Sequence, residues 1–186
     1  MEFYLEMKEK IDKKLRCVFE TYPYLHKKNY PFKNFTSVVL EGYLVTKKEC
    51  VEFNVRSESD AENLSFYARV LVPENYISKG VEVYDLYKKI DVNFIKNNYP
   101  EHLHFNEYNT LHGNLICTHI SGCEQYSDNI IFENINSAHY YYLNYINLKN
   151  KNPFNMKEYS HGLKGLEEFE KERRKKDEKR KRNFLH

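Results

Sequence analysis

The sequence predicts an α+β domain: an N-terminal helix, a four-stranded antiparallel meander, a long loop rich in histidine and cysteine, and C-terminal helices. Three observations lead there. Apolar residues recur at helical spacing over residues 2–22, the period changes to two between residues 36 and 72, and helical spacing returns from Ile131 onward. A chain of 186 residues with a 41% hydrophobic share, 17 Tyr and 12 Phe has the apolar mass for one core. It divides into a domain over residues 1–155 and a charged helical extension over 156–186.

The first helix rests on Tyr4, Ile11, Leu15, Val18 and Tyr22, which line one face. "YPYLHKKNYPF" reads as a linker, because Pro23 and Pro31 cannot continue a helix and restrict the residues before them. "TSVVLEGYLV" is strand-like. "CVEFNV" alternates Val51, Phe53 and Val55, and "LSFYARVLV" alternates Leu64, Phe66, Ala68, Val70 and Val72. The connectors "TKKE" and "RSESDAEN" suit hairpins, so these runs are expected to form a meander. "PENY" ends the third strand, and "VEVYDLYKKI" fits a strand or a helical turn equally well. Ile131, Ile135, Ala138, Tyr142, Tyr145 and Ile146 mark a helix that Pro153 closes, and "EYSHGLKGLEEFEKERRKKDEKRKR" reads as a loop and a second, charged helix. The tyrosines of "HYYYLNY" read as core packing, with Tyr142 and Tyr145 on the apolar stripe, rather than as a base-stacking platform.

Charge and cysteine usage narrow the setting. The net charge of +2 is uneven: from Lys171 onward nine Lys and Arg face three acids. The remainder of the chain is acidic overall. The basic run reads as a solvated helix face rather than a nucleic-acid site. No apolar run has the ~20 residues a membrane span needs, and "MEFYLEMKEK" lacks the features of a signal peptide, so the expected location is cytoplasmic. There Cys17, Cys50, Cys117 and Cys123 are expected as reduced thiols.

The chemistry concentrates between residues 102 and 123, which hold His102, His104, Asn106, Asn109, His112, Asn114, Cys117, His119 and Cys123. Three readings compete. The first, zinc, lacks a Cys-x2-Cys pair, so no metal is expected. A second makes Cys117 a small hydrophobe inside "LIC", the ordinary state of a free cysteine. The third makes Cys117 a thiolate nucleophile, with an upstream Asn or His helping to stabilise an oxyanion. Cys17 and Cys50 read as bystanders, and His161 in "SHG" as a surface residue.

The order of elements adds a further observation. An opening helix, a meander, "VPENY", "HFN" at His104–Asn106, Gly113, and Ile116 with Cys117 together resemble a ubiquitin-conjugating enzyme (UBC-like). That family carries a His-Pro-Asn tripeptide ahead of a Gly-x-Ile-Cys nucleophile. Here Phe105 replaces the proline, thirteen residues take the chain from His104 to Cys117, a longer interval than the family's, and Gly113 stands four before the cysteine. The tryptophan that follows the family's cysteine is absent. Residues 1–150 carry the likeness, which is to divergent bacterial stand-alone members found in anti-phage (CBASS) operons, and "YSHGLKGLEEF" resembles a C-terminal element of those proteins.

The resemblance implies that Cys117 carries a protein C-terminus as a thioester and passes it to an amine, with His104 and Asn106 in oxyanion or positioning roles. It implies no cofactor. The implied protein partners are a cGAS-like nucleotidyltransferase or a ubiquitin-like protein, and because the chain holds neither a Gly-x-Gly-x-x-Gly motif nor a P-loop, activation must come from another protein. The rival readings are a catalytically silent interaction module of the same fold and a Cys/His acyl hydrolase.

Overall fold

Helix α1 (Glu2–Thr21) forms as expected, and its buried stripe of Ile11, Leu15, Val18 and the following Tyr22 enters the core that the sheet shares with the C-terminal helix. The computed structural model describes residues 2–29, 37–110, 112–118, 129–154 and 171. After α1 come β1 (Leu25–Lys28), β2 (Ser37–Tyr43), α2 (Lys47–Glu52), α3 (Glu58–Leu64), β3 (Tyr67–Pro73), α4 (Tyr76–Lys79) and β4 (Glu82–Asp85). Then follow α5 (Val92–Asn98), a 3-10 turn (Pro100–His102), β5 (Phe105–Thr110), β6 (Gly113–Ile116) and α6 (Ile130–Lys149).

The strands make one antiparallel sheet of six, in the order β1-β2-β3-β4-β6-β5. Its first four members are a meander in which chain neighbours are sheet neighbours, and the β5–β6 hairpin joins through β6, leaving β5 at the edge. Alternation explains the layering. Leu40, Val70, Val83 and Ile116 lie opposite one another across four strands, all at most 1% exposed, and belong to the core shared with α1 and α6. The adjacent row, Glu41, Arg69, Tyr84 and Leu115, points to the other face. Helix α6 brings Ile131, Ile135, Ala138, Tyr142 and Tyr145 into the core, and each aliphatic side chain buried there contributes ~1.5–3 kcal/mol.

Several expectations change. The predicted strand at 50–55 is instead α2 and a turn, and the predicted connector after it contains α3. Both helices start on capping boxes: the Glu49 N–H donates to Thr46 Oγ1 at 3.2 Å while Thr46 N–H donates to Glu49 Oε2 at 2.8 Å, and Ser57 with Asp60 repeats the arrangement. The alternation over Val51 and Phe53 marks no buried face, since the two are 80% and 55% exposed. The predicted linker contains β1, and the ambiguous "VEVYDLYKKI" supplies β4. Instead of four strands the sheet has six: the strand at 50–55 is lost, β1 is gained in the predicted linker, and much of the predicted long loop is the β5–β6 hairpin. Tyr141 joins Tyr142 and Tyr145 in the interior, which the stripe drawn from spacing alone omitted. Residues 119–128, and all of the predicted charged helix except Lys171, lie outside the described residues.

Candidate functional site

Cys117 directly follows β6, a strand of four buried residues held on both sides by β4 and β5. Gly113 makes that placement possible. Its φ is +101°, and a Cβ there would stand 2.2 Å from the Asp85 carbonyl oxygen, so only glycine lets β6 close against β4. The strand then delivers Cys117 to its end as a half-buried thiol.

The backbone N–H of Cys117 donates to the carbonyl of His104 at 2.9 Å, extending the β5–β6 ladder by one bond. This contact brings the predicted nucleophile and the first residue of "HFN" together across thirteen residues of chain. The hairpin absorbs the long interval in two register shifts, one between Phe105 and Glu107 and one between Glu107 and Thr110. Asn106 sits at the first of them, the kind of one-residue bulge that recurs beside active sites. Its side chain lies outside the described ones.

Helix α6 closes the site from the core side. The Tyr141 hydroxyl donates to the His102 carbonyl at 2.8 Å and accepts from the His104 N–H at 3.4 Å, and the His104 ring meets the Tyr141 ring edge-on at 5.8 Å. Asn134, only 3% exposed, accepts from the Thr118 hydroxyl at 2.5 Å and donates through Nδ2 to the Ile130 carbonyl at 2.8 Å. Thr118, Asn134 and Tyr141 were not among the residues singled out from sequence. A polar Asn four residues before Ala138, inside an apolar helical stripe, was the available signal.

The other candidates go elsewhere. His102 stacks on Phe154, with ring centroids 4.1 Å apart and planes within 7°. His112 lies in the hairpin turn at the far end of β6, roughly 16 Å along the strand from Cys117, where its Nδ1 is 3.3 Å from Arg69. Asn114 is buried in β6 opposite Asp85. Cys17 is exposed on α1 and hydrogen-bonds to the Lys14 carbonyl. Burial, then the nearby Glu49 carboxylate, pushes the Cys50 thiol pKa up, which disfavours a thiolate there. Asn109 is described in its backbone alone, and His119, Cys123 and His161 fall outside the described residues.

A second polar cluster links α2 to α6. The Glu49 carboxylate accepts from Thr46 Oγ1 at 2.7 Å and lies 3.1 Å from His139 Nε2. Burial acts to raise its pKa, but the bonds from His139 and Thr46 and the nearby imidazole outweigh burial and hold it at about 2. His139 Nδ1, also buried, has no hydrogen-bond partner among the described residues. His139 is buried and Glu49 half-buried, and the pair ties α2 to α6.

Among the described residues no group of three or more His, Cys, Asp or Glu is placed to hold a metal ion, and no helix is long and apolar enough to cross a membrane. Cys117 is thus a half-buried thiol at a strand end, with its own backbone tied to one neighbouring segment and the next residue tied to a helix. No protein-family model, curated protein or solved structure matches the chain.

Proposed function

We propose that this chain is a ubiquitin-conjugating-like acyltransferase in which Cys117 carries the C-terminus of another protein. The thiolate attacks the carbonyl carbon of an activated carboxyl group, a C–S bond forms, and the activating group leaves. An amine, such as a lysine side chain, then attacks the thioester; the C–N bond forms, the C–S bond breaks, and the amine loses a proton as the thiolate is regenerated. The energy for amide formation is already in the thioester, so the protein's task is to align the amine and stabilise the tetrahedral oxyanion. His104 and Asn106 are assigned to that task, with the activating enzyme a separate protein. The likeness to bacterial anti-phage members points to a cGAS-like nucleotidyltransferase as the protein that is modified or primed.

One observation supports the reading: the 2.9 Å bond from the Cys117 N–H to the His104 carbonyl, which brings the cysteine beside the start of "HFN" despite the long interval between them. The test is to incubate the chain with its activating enzyme and donor protein and look for an adduct. A thioester on the native chain that an added thiol or hydroxylamine cleaves by taking the acyl group and freeing the Cys117 thiol, and a stable amide on Cys117→Lys, are the expected results. No adduct on either, with partner binding intact in Cys117→Ala, would identify a silent interaction module. Release of free donor without any acceptor would identify a hydrolase.

A further inference from the structure

We propose that the hydrogen bond from Thr118 to Asn134 fixes the Cys117 thiol for acyl transfer, which makes Thr118 and Asn134 positioning residues; the inference rests on Cys117 being the acyl-carrying thiol. Cys117 stands at the point where the sheet stops guiding the chain. The last β4–β6 pair is Val83 with Ile116, and beyond it the ladder continues on the β5 side, through the bond from Cys117 to His104. The next residue, Thr118, is secured by α6 through Asn134 at 2.5 Å, at the short end of the range for hydroxyl donors. The backbone that carries the thiol is thereby tied on one side at Cys117 itself and on the other through Thr118.

Asn134 is a polar residue in an apolar stripe. It lies in the stripe of Ile131, Ile135 and Ala138, at 3% exposure, where an apolar side chain removes a desolvation cost. Its Nδ2 bond to the Ile130 carbonyl sets the orientation of the amide, so that Oδ1 points at the Thr118 hydroxyl. Tyr141, seven residues further along α6 and thus on the same side of the helix, holds the 102–104 segment whose carbonyl receives the Cys117 N–H. One helix therefore grips the chain on both sides of the thiol.

The experiment compares the full chain with Thr118→Ser, Thr118→Val, Asn134→Leu and the Thr118→Val/Asn134→Leu pair. Iodoacetamide modification is followed at the Cys117 peptide by mass spectrometry, with half-buried Cys50 as the internal reference for general unfolding. Thioester-to-lysine transfer and the melting temperature are measured in parallel. Asn134→Leu should melt no lower than the native chain, because it fills the core with an apolar side chain. Thr118→Val and Asn134→Leu should each raise the Cys117 alkylation rate about fivefold, the population shift that loss of one hydrogen bond of ordinary net strength permits. Transfer should fall by a similar factor. Cys50 should not change, Thr118→Ser should keep native rates, and the double variant should go no further than either single one.

Unchanged Cys117 rates in both single variants, or additive effects in the double, overturn the positioning role even where the native chain transfers normally. The expected alkylation pattern without any native thioester overturns the transferase reading instead, and leaves the bond a purely structural one.

Discussion

Replacing Asp85 with asparagine should change how stability depends on pH. Asp85 ends β4 with its side chain fully buried; Oδ2 accepts the Ile90 N–H at 2.7 Å, and Oδ1 has no partner among the described residues. Burial raises its pKa from 3.8 to about 6, against the backbone N–H groups of Ile90, Lys89 and Lys88 and the charge of Lys89. Burial also lowers the Lys89 pKa. Desolvation therefore outweighs the attraction between the two on both sides. A carboxyl that binds its proton more tightly when folded favours the folded state below about pH 4, and this contribution is lost as pH rises through about 6. The shift is about two units, or ~3 kcal/mol in all.

The asparagine can still accept from the Ile90 N–H, but it places an amide nitrogen where Oδ1 of Asp85 lacks a partner, at a cost of ~1–2 kcal/mol. Asp85→Asn should therefore be less stable than the native chain at pH 4 and more stable at pH 8. Urea unfolding followed by circular dichroism at pH 4, 6 and 8 reads the difference, and other titrating groups cancel between the two chains. Parallel stability profiles, offset by a constant, would refute this, because they would mean that Asp85 titrates alike in the folded and unfolded chain.

Two further outcomes follow from the same geometry. Gly113→Ala forces a side chain into a positive-φ position and against the Asp85 carbonyl, so it should cost ~2 kcal/mol or more in urea unfolding and disturb Cys117 reactivity by loosening β6; a neutral effect would mean that β6 does not need this close approach. Glu49→Gln should remove ~1–2 kcal/mol at neutral pH, after allowance for partial exposure, and should abolish the loss of stability expected as pH falls from about 4.5 toward 2. An unchanged acid limb in the variant would show that the tie to His139 and Thr46 contributes nothing.

How far each element was legible in the sequence depends on the range over which its signal acts. Periodicity located α1, β2, β3 and α6, because each buries one continuous face and the burial repeats at the spacing of its backbone. Where short-range polar chemistry overrode the apolar alternation, the reading went astray: Thr46 and Ser57 nucleate helices through three-residue capping boxes, which redirect Val51 and Phe53 to solvent. β1 escaped notice because it is a four-residue strand in which only Leu25 is buried, too short for a pattern to emerge.

Composition, element order and the position of the thiol in the chain were thus properties of the sequence alone. The tertiary structure decided what surrounds that thiol. Whether His104 meets Cys117 depends on two register shifts in a hairpin, and whether Asn134 and Tyr141 of α6 reach the same place depends on how a helix thirteen or more residues downstream lies on the sheet. Such contacts follow from packing over long separations, where no local repeat in the chain records which side chains will meet.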